Sequence, residues 1–436
     1  MWRRPSESPG AISASTIPVT WFPGGLWRRS RGLSATPPGL PDRLRVGVFS
    51  EVGHPESGYR HFSGVGNFLT YNLRYCKQRG VEMDLHSYAE RDRIDEDGSV
   101  QLFGWRPRVP IRVDPTIPQD LSHIFLDRRI LRAAAARCYD VINVVAPGTM
   151  GLQGMRIARR LGVPAVAMYT TSLAEYASKR ATELLGPLGF LKRPTVAATE
   201  AVGWRTMRWF YSRRNGIRAV LAPTRSTMEA IRQRLDAPLA MLGRGVDTDL
   251  FRPSPEAALD SRDPGRPLIL YSGRLHRGDK DLDRFAEILD AAPEARLLMV
   301  GDGPHRDDLE AEFGDRAEFT GALAGEALAA AYRRCDFFVF PSRHDTFGQV
   351  VMEAMAAGLP VVVTDQGGPQ ELVYHGRTGI VSDDYSFLSR VRQLARSAEL
   401  RRDMARRARK AAEARSWTRI FDELMGHYRR AASRQS

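Results

Sequence analysis

The sequence predicts an α/β protein made of two doubly wound parallel-sheet domains that face each other across a cleft. Three observations predict it. The 436 residues exceed what one ordinary hydrophobic core holds. From Leu44 onward, short β-branched runs alternate with amphipathic helical ones, the pattern of parallel strands covered by helices on both faces. The alternation breaks at a proline-rich seam, residues 252–267, and then restarts.

In the first half, RVGVFS (45–50), VEMDLHSY (81–88), VINVVAP (141–147), PAVAMYTT (164–171) and AVLAPT (219–224) read as buried strands, with helical patterns at 67–78 and 152–161 between them. In the second half, PLILYSGR (267–274), ARLLMVGDG (295–303), CDFFVFPS (335–342) and LPVVVTDQ (359–366) do the same. Near the end, Trp417, Ile420, Phe421, Leu424 and Tyr428 recur at helical spacing, a stripe that must dock on another surface. The expected organisation is therefore a leader at 1–43, a first domain at 44–252, a second at 253–412, and a closing helix at 413–436 that crosses back to the first domain or serves a dimer interface.

The leader is rich in Pro, Ser, Gly and Arg and has no apolar core of a secretory signal. No run approaches the ~18 apolar residues of a membrane span. The formal charge is +13, and nearly all of the basicity is arginine, since only Lys77, Lys179, Lys192, Lys280 and Lys410 are lysines. Such a balance favours phosphate-bearing or membrane-surface partners. The arginines are scattered, with no basic stripe interleaved with aromatics, so a nucleic-acid partner is not expected. Cys76, Cys138 and Cys335 are far apart and odd in number, which points to a reducing cytoplasm rather than a disulfide framework.

Ligands of doubly wound domains bind at the carboxyl ends of strands, so the chemistry is sought there. Arg274 ends a strand and Lys280 follows in the same loop, two cations suited to a diphosphate. In DTFGQVVMEAMAAGLPVVV (345–363), a helix follows the strand. The backbone N–H groups of Phe347, Gly348 and Gln349 at its start are expected to be unpaired and ready for hydroxyls or phosphate oxygens. Asp345 sits at its mouth and Glu353 about two turns in. Glutamate is rarely buried without a partner, so Glu353 meets either a group inside the protein, such as an arginine, or a ligand. The alternative for Asp345 is a helix cap. In the first domain SGVGNF (63–68) opens a helix at Gly64, whose N-terminus can take a phosphate from across the cleft. It departs from the dinucleotide fingerprint, because Leu69 replaces the third glycine and the loop from Ser50 is too long. VGDGPHR (300–306) departs too, with Arg306 in that place. Asp247-Thr248-Asp249 mimics a metal clasp but lies at the seam and reads as a turn. No His/Cys cluster has ligand spacing, so no metal site is assigned.

Together, GRGVDTDLFRP (243–253), YSGRL (271–275) with its following lysine, VGDGP (300–304) and FFVFPSRHDTFGQVVMEAMAAGLPVVVTDQGGPQELV (337–373) resemble the retaining glycosyltransferases of family 4, which have the GT-B fold of two Rossmann-like domains. The likeness is nearest to bacterial α-mannosyltransferases that use GDP-mannose and to sulfoquinovosyl-diacylglycerol synthases. The resemblance implies roles at matching positions. Asp345 would hold hydroxyls of the transferred sugar, helped by the N–H groups of Phe347 and Gly348. Glu353 would hold the ribose of a nucleotide-diphosphate sugar. Arg274 and Lys280 would clamp the diphosphate and stabilise it as it leaves. Gly64 would bring a backbone N–H to the β-phosphate, with Gly66 and Thr170 near the sugar or acceptor. The implied chemistry is retaining, with front-face attack and no metal or other cofactor.

Three departures stand out. Asp345 replaces a glutamate, the spacing from Arg274 to Lys280 is one residue longer, and Thr170 in Tyr169-Thr170-Thr171-Ser172 stands where relatives carry a histidine near the donor's C6 hydroxyl. The donor hexose is therefore expected to be held differently at C6, or not to be the usual mannose or glucose. The acceptor expected is a lipid-linked or oligosaccharide hydroxyl. A basic and apolar stretch at 178–194, with Lys179, Arg180, Lys192 and Arg193, suits an anionic membrane surface or packs on its own domain. The competing readings are another enzyme of the same fold, such as a sugar-nucleotide epimerase, and a catalytically attenuated sugar-nucleotide or polyanion binder.

Overall fold

The computed structural model describes residues 44–52, 64–114, 117–170, 189–254 and 265–433. Two sheets organise them. The first has eight strands. Its centre is β1 (Arg45–Phe49), flanked on one side by β2 (Glu82–Tyr88), β4 (Val100–Trp105) and β3 (Arg93–Asp97). On the other side lie β7 (Val141–Val144), β8 (Ala165–Met168), β9 (Ile217–Ala222) and β10 (Leu239–Met241). All neighbours are parallel except β3 on β4. Between β4 and β7 the chain also forms a separate two-stranded hairpin, β5 (Pro110–Asp114) with β6 (Ile117–Asp120).

The second sheet is wholly parallel, in the order β13 (Ala317–Gly321), β12 (Arg296–Val300), β11 (Leu268–Ser272), β14 (Phe337–Phe340), β15 (Val361–Thr364), β16 (Gly379–Ser382). Its central strands are continuous apolar runs, and every residue of FFVF in β14 and VVVT in β15 is buried. That is what a sheet covered by helices on both faces requires. In each sheet the direction of winding reverses beside the first strand, at β1–β7 and at β11–β14. These reversals create the crevices in which doubly wound sheets hold ligands.

The last helix, Trp417–Ala432, buries Trp417, Ile420, Phe421, Leu424 and Tyr428 against Val46, Phe68 and Leu73 of the first sheet and its first helix, Gly64–Arg79. Ser416 caps its start, and Asp422 accepts a hydrogen bond from Tyr75 at 2.6 Å. The stripe in the sequence thus docks on the first-sheet core. Chain from the second sheet returns beside the seam, where the Val246 N–H donates to the Arg415 carbonyl at 3.1 Å.

Candidate functional site

The wall of the cleft formed by the second sheet is built from the loops that leave β11 and β14. Arg274, two residues past β11, is exposed. One short turn, Arg277–Lys280, then brings Lys280 back toward β14. The loop after β14 carries Asp345 and enters the helix Gln349–Ala356 through Gly348, whose φ of 85° is left-handed. A Cβ there would lie 2.9 Å from Cγ of Pro369, so the turn needs glycine for conformation and for space.

Asp345 organises this corner. Its Oδ1 accepts the N–H groups of Phe347 at 3.1 Å and Gly348 at 2.8 Å, and its Oδ2 accepts the ammonium of Lys280 at 2.9 Å. Burial alone would push its pKa up, but Lys280 and the two N–H groups outweigh that and hold the carboxyl below its usual range. This corrects the expectation that the N–H groups of Phe347 and Gly348 stand unpaired. The aspartate side chain is short enough to fold back on the amides two and three residues ahead, as a helix-capping residue does. It keeps the strand-end cation and the helix start in one fixed unit.

Glu353 retains 4% exposure and accepts a hydrogen bond from the Tyr332 hydroxyl at 3.1 Å. Its partner is a phenol on the helix Gly325–Arg334 and not an arginine. With no cation beside it among the described residues, burial pushes the Glu353 carboxyl up to about 7. The negative charge of Glu353 also reaches Tyr71 on the first-domain helix, whose phenol is held up by burial first and by Asp247 next.

The opposing wall approaches closely. A Cβ built on Gly64 would lie 3.9 Å from the Cβ of Gln349, so the start of the first-domain helix faces the start of the second-domain one. Gly66 is buried one residue pair further in and its carbonyl accepts from Thr70 at 3.0 Å. Thr170 donates to the Val145 carbonyl at 3.2 Å, and its own carbonyl accepts from the Thr346 hydroxyl at 3.4 Å. The position expected to carry histidine therefore touches the residue next to Asp345. Further along the seam, Glu371 accepts the N–H groups of Arg225 at 2.8 Å and Ser226 at 2.5 Å, capping a first-domain helix from the second domain. Thr224 and Thr227 add bonds to the Thr346 carbonyl at 3.2 and 3.3 Å.

Asp247 accepts the N–H groups of Asp249 at 3.1 Å and Leu250 at 2.9 Å, together with the Tyr71 hydroxyl at 3.0 Å. Its carboxylate is thus committed to a turn at the seam. Among the described residues, no group of three His, Cys, Asp or Glu side chains is placed to hold a metal ion.

Two stretches of the chain match family models. Residues 62–250 match the description Glycosyltransferase Family 4, and residues 266–397 match Glycosyl transferases group 1. A GDP-mannose-dependent α-mannosyltransferase of Mycobacterium tuberculosis is 34% identical, over 90% of this chain and 98% of its own. The chain belongs to glycosyltransferase family 4. A second GDP-mannose-dependent α-mannosyltransferase, from Mycolicibacterium smegmatis, is 36% identical over 90% of this chain and 99% of the relative. A sulfoquinovosyl transferase of Arabidopsis thaliana is 28% identical over 87% and 72%. Among solved structures, a sucrose-phosphate synthase from Thermosynechococcus elongatus superposes with a TM-score of 0.70 at 19% identity, covering 89% of this chain and 99% of that one. A likeness that distant shows the fold, and the fold is GT-B.

In this glycosyltransferase the structure brings Asp345, Lys280, Phe347 and Gly348 into one hydrogen-bonded corner and sets Gly64 opposite it. Glu353 lies one helical turn beyond Gln349. The stretch 178–188, with Thr171 and Ser172, lies outside the described residues, as do the side chains of 189–194. Sequence reasoning passed over Tyr332, the partner of Glu353, and the burial of Arg244. Tyr332 lies on a helix with an ordinary amphipathic pattern and gave no local signal. Arg244 lies within GRGVDTDLFRP, where its burial was the missing fact.

Proposed function

We propose that this glycosyltransferase moves a hexose from a nucleoside-diphosphate sugar, GDP-mannose or a UDP-hexose, to a hydroxyl of a lipid-linked or oligosaccharide acceptor, with retention and without a metal. The observation that carries the reading is the Asp345–Lys280 pair, fixed at 2.9 Å on the carboxyl ends of β11 and β14 and facing the Gly64 helix start. In glycosyl transfer negative charge develops on the departing diphosphate, and preorganised cations and N–H groups are the most effective way to meet it. Lys280 and Arg274 meet that charge from the second domain, and the N–H of Gly64 meets it from the first. Asp345, with its Oδ1 and Oδ2 already engaged, has lone pairs left to accept hydroxyls of the sugar. Glu353, neutralised in part by burial, orders the ribose. The printed activities of the mycobacterial relatives support GDP-mannose as the first donor to try. None of Cys76, Cys138 and Cys335 forms a disulfide, which suits a reducing cytoplasm.

The acceptor side carries its own signal. Val109, Leu121, Ile124 and Phe125 expose 47%, 44%, 46% and 78% of their surfaces. Leu121 donates to the Val109 carbonyl at 2.9 Å, so these residues are neighbours, and Arg106, Arg108 and Arg128 beside them are exposed. Apolar tips among guanidinium groups suit the boundary of an anionic lipid surface. No helix among the described residues is long and apolar enough to cross a membrane, so contact would be peripheral.

Incubation of the full chain with GDP-mannose, UDP-glucose, UDP-N-acetylglucosamine and UDP-xylose, with and without a lipid extract and a chelator, tests the reading. Nucleoside-diphosphate release that requires acceptor and survives the chelator is expected. Absence of release with every donor would overturn it in favour of a non-catalytic binder, and a chelator-sensitive rate would overturn the metal-free part. Flotation with phosphatidylglycerol-containing vesicles at low salt tests the surface, and loss of binding in Phe125→Ser is the expected outcome.

A further inference from the structure

Among the described residues, one buried charge at the seam between the two sheets has no counterpart. Arg244 follows β10 and retains only 8% exposure. Its hydrogen bonds run from Nη1 to the carbonyls of Leu242 at 3.3 Å and Gly243 at 3.2 Å, and its guanidinium lies 4.7 Å over the ring of Phe68. Among the described residues, no carboxylate pairs with it. Burial lowers its pKa to about 10, and the group stays protonated at neutral pH.

A guanidinium buried without a counter-charge is costly, and proteins normally supply one. The comparison with Arg401 makes the point. Arg401 is buried to the same degree and also bonds two carbonyls, those of Leu394 and Ala395, but the negative charge of Asp336 supports it. Arg401 therefore reads as a structural brace. Arg244 has the carbonyls and lacks the anion.

Its place in the fold indicates where the anion comes from. Phe68, under the guanidinium, is one helical turn from Gly64. Gly64 faces Gln349, whose amide donates to the carbonyl of Gly245 at 2.9 Å. Arg244 thus stands where the two helix starts meet. A Cβ on Gly245 would lie 2.7 Å from the backbone of Trp417, so the chain passes this point too tightly to be displaced freely. A second unfilled group occupies the same place, because Oε1 of Gln349 is buried with no hydrogen-bond partner. A ligand bearing both an anionic group and a hydroxyl would satisfy both.

We propose that Arg244 is a binding residue for the phosphates of the donor, a cation on the cleft floor that the protein leaves without a counter-charge so that the nucleoside diphosphate supplies it. The inference rests on the sugar-nucleotide reading and adds a first-domain cation to Arg274 and Lys280 of the second. Binding of the donor then draws the two domains onto one anion, since the guanidinium and the ammonium approach it from opposite walls.

Titration calorimetry on the full chain with GDP, UDP, guanosine and uridine, for wild type, Arg244→Gln and Arg244→Lys, tests it alongside melting temperatures without ligand. Removing an uncompensated buried charge leaves the unliganded protein as stable or more so. The expected result is a diphosphate affinity lowered ten- to a hundredfold in Arg244→Gln, unchanged nucleoside affinity, partial retention in Arg244→Lys, and a melting temperature that does not fall. Should Arg244→Gln fail to fold, a brace is indicated and the proposal is overturned, unless Arg244→Lys folds and shows the selective diphosphate loss. Wild-type binding of GDP or UDP with the same affinity in Arg244→Gln overturns the Arg244 inference alone. A wild type that binds neither diphosphate overturns the sugar-nucleotide reading and this inference with it.

Discussion

The two walls of the cleft differ in how far each satisfies its own charged groups. On the second-sheet wall, Asp345, Lys280 and the N–H groups of Phe347 and Gly348 close a hydrogen-bonded unit, and Glu353 has Tyr332. On the first-sheet wall, Glu51 at the end of β1 retains 3% exposure, accepts the Gly151 N–H at 2.8 Å, and leaves Oε2 buried with no partner. Arg244, in the same domain, has no counter-charge among the described residues. One wall is organised before any ligand arrives, and the other holds unmet charge. A fully satisfied polar network rigidifies a site, whereas an unsatisfied one stores a preference for whatever completes it. The difference fits a division in which the second domain fixes the donor and the first domain responds to it.

The largest effect should come from breaking the organised corner. Lys280→Met is expected to lower kcat/KM about 10²–10³-fold, the scale seen when one preorganised group that meets developing charge is removed. Asp345→Asn keeps an acceptor for the two N–H groups and loses the ion pair, so it should fall by a similar factor. The double variant should fall little further if the pair acts as a unit. Steady-state kinetics of diphosphate release read this directly, and additive losses would show two independent groups.

A smaller effect compares the two buried carboxyls. Both Glu51 and Glu353 are raised by burial from 4.5 to about 7. The folded state therefore holds protons that the unfolded state has released between those values. Stability falls as pH rises through that window, by at most roughly 3 kcal/mol for each group, and the cost is complete above pH 7. Glu51→Gln and Glu353→Gln should each gain stability relative to wild type between pH 5 and pH 8 in denaturant titrations. A difference that does not change with pH would mean that the carboxyls titrate normally. Because Glu353 is the residue proposed to hold the ribose, only its variant should also lose nucleotide affinity.

The smallest effect concerns the seam. Glu371→Ala removes the cap that the second domain places on the helix Arg225–Arg232, a loss of about 1 kcal/mol. The expected consequences are a donor KM raised a few fold with kcat unchanged, and a larger radius in small-angle scattering without ligand. An unchanged radius would assign the closed arrangement to the other contacts at Thr346.

Much of the fold was legible because its signal is local. The centres of RVGVFS, CDFFVFPS and LPVVVTDQ are buried on both faces, so they are nearly all apolar and the run announces itself. The strand β3 gave no such signal. RIDED pairs antiparallel at the sheet edge with four of its five residues exposed, and exposure removes the pattern. The strands β5 and β6 and the short β10 were missed for related reasons, being a hairpin and an edge. At the site, the spacing of Asp345 and Glu353 was readable, as was the closeness of Arg274 and Lys280. The partner of Glu353 was not, since Tyr332 reaches it from another helix 21 residues away in sequence.

The sequence by itself determined the two parallel sheets, the family, the helix that begins after β14, and which residues stand at strand ends. These follow from periodicity and from short motifs, which depend on neighbours along the chain. Only the tertiary structure decided that the Phe347 and Gly348 amides are capped by Asp345, that a phenol rather than an arginine meets Glu353, and that Arg244 is buried without an anion among the described residues. The physical reason is that hydrogen-bond partners and counter-charges arrive through space. Whether a charged side chain is satisfied depends on elements that the sequence sets far apart and that packing alone brings together.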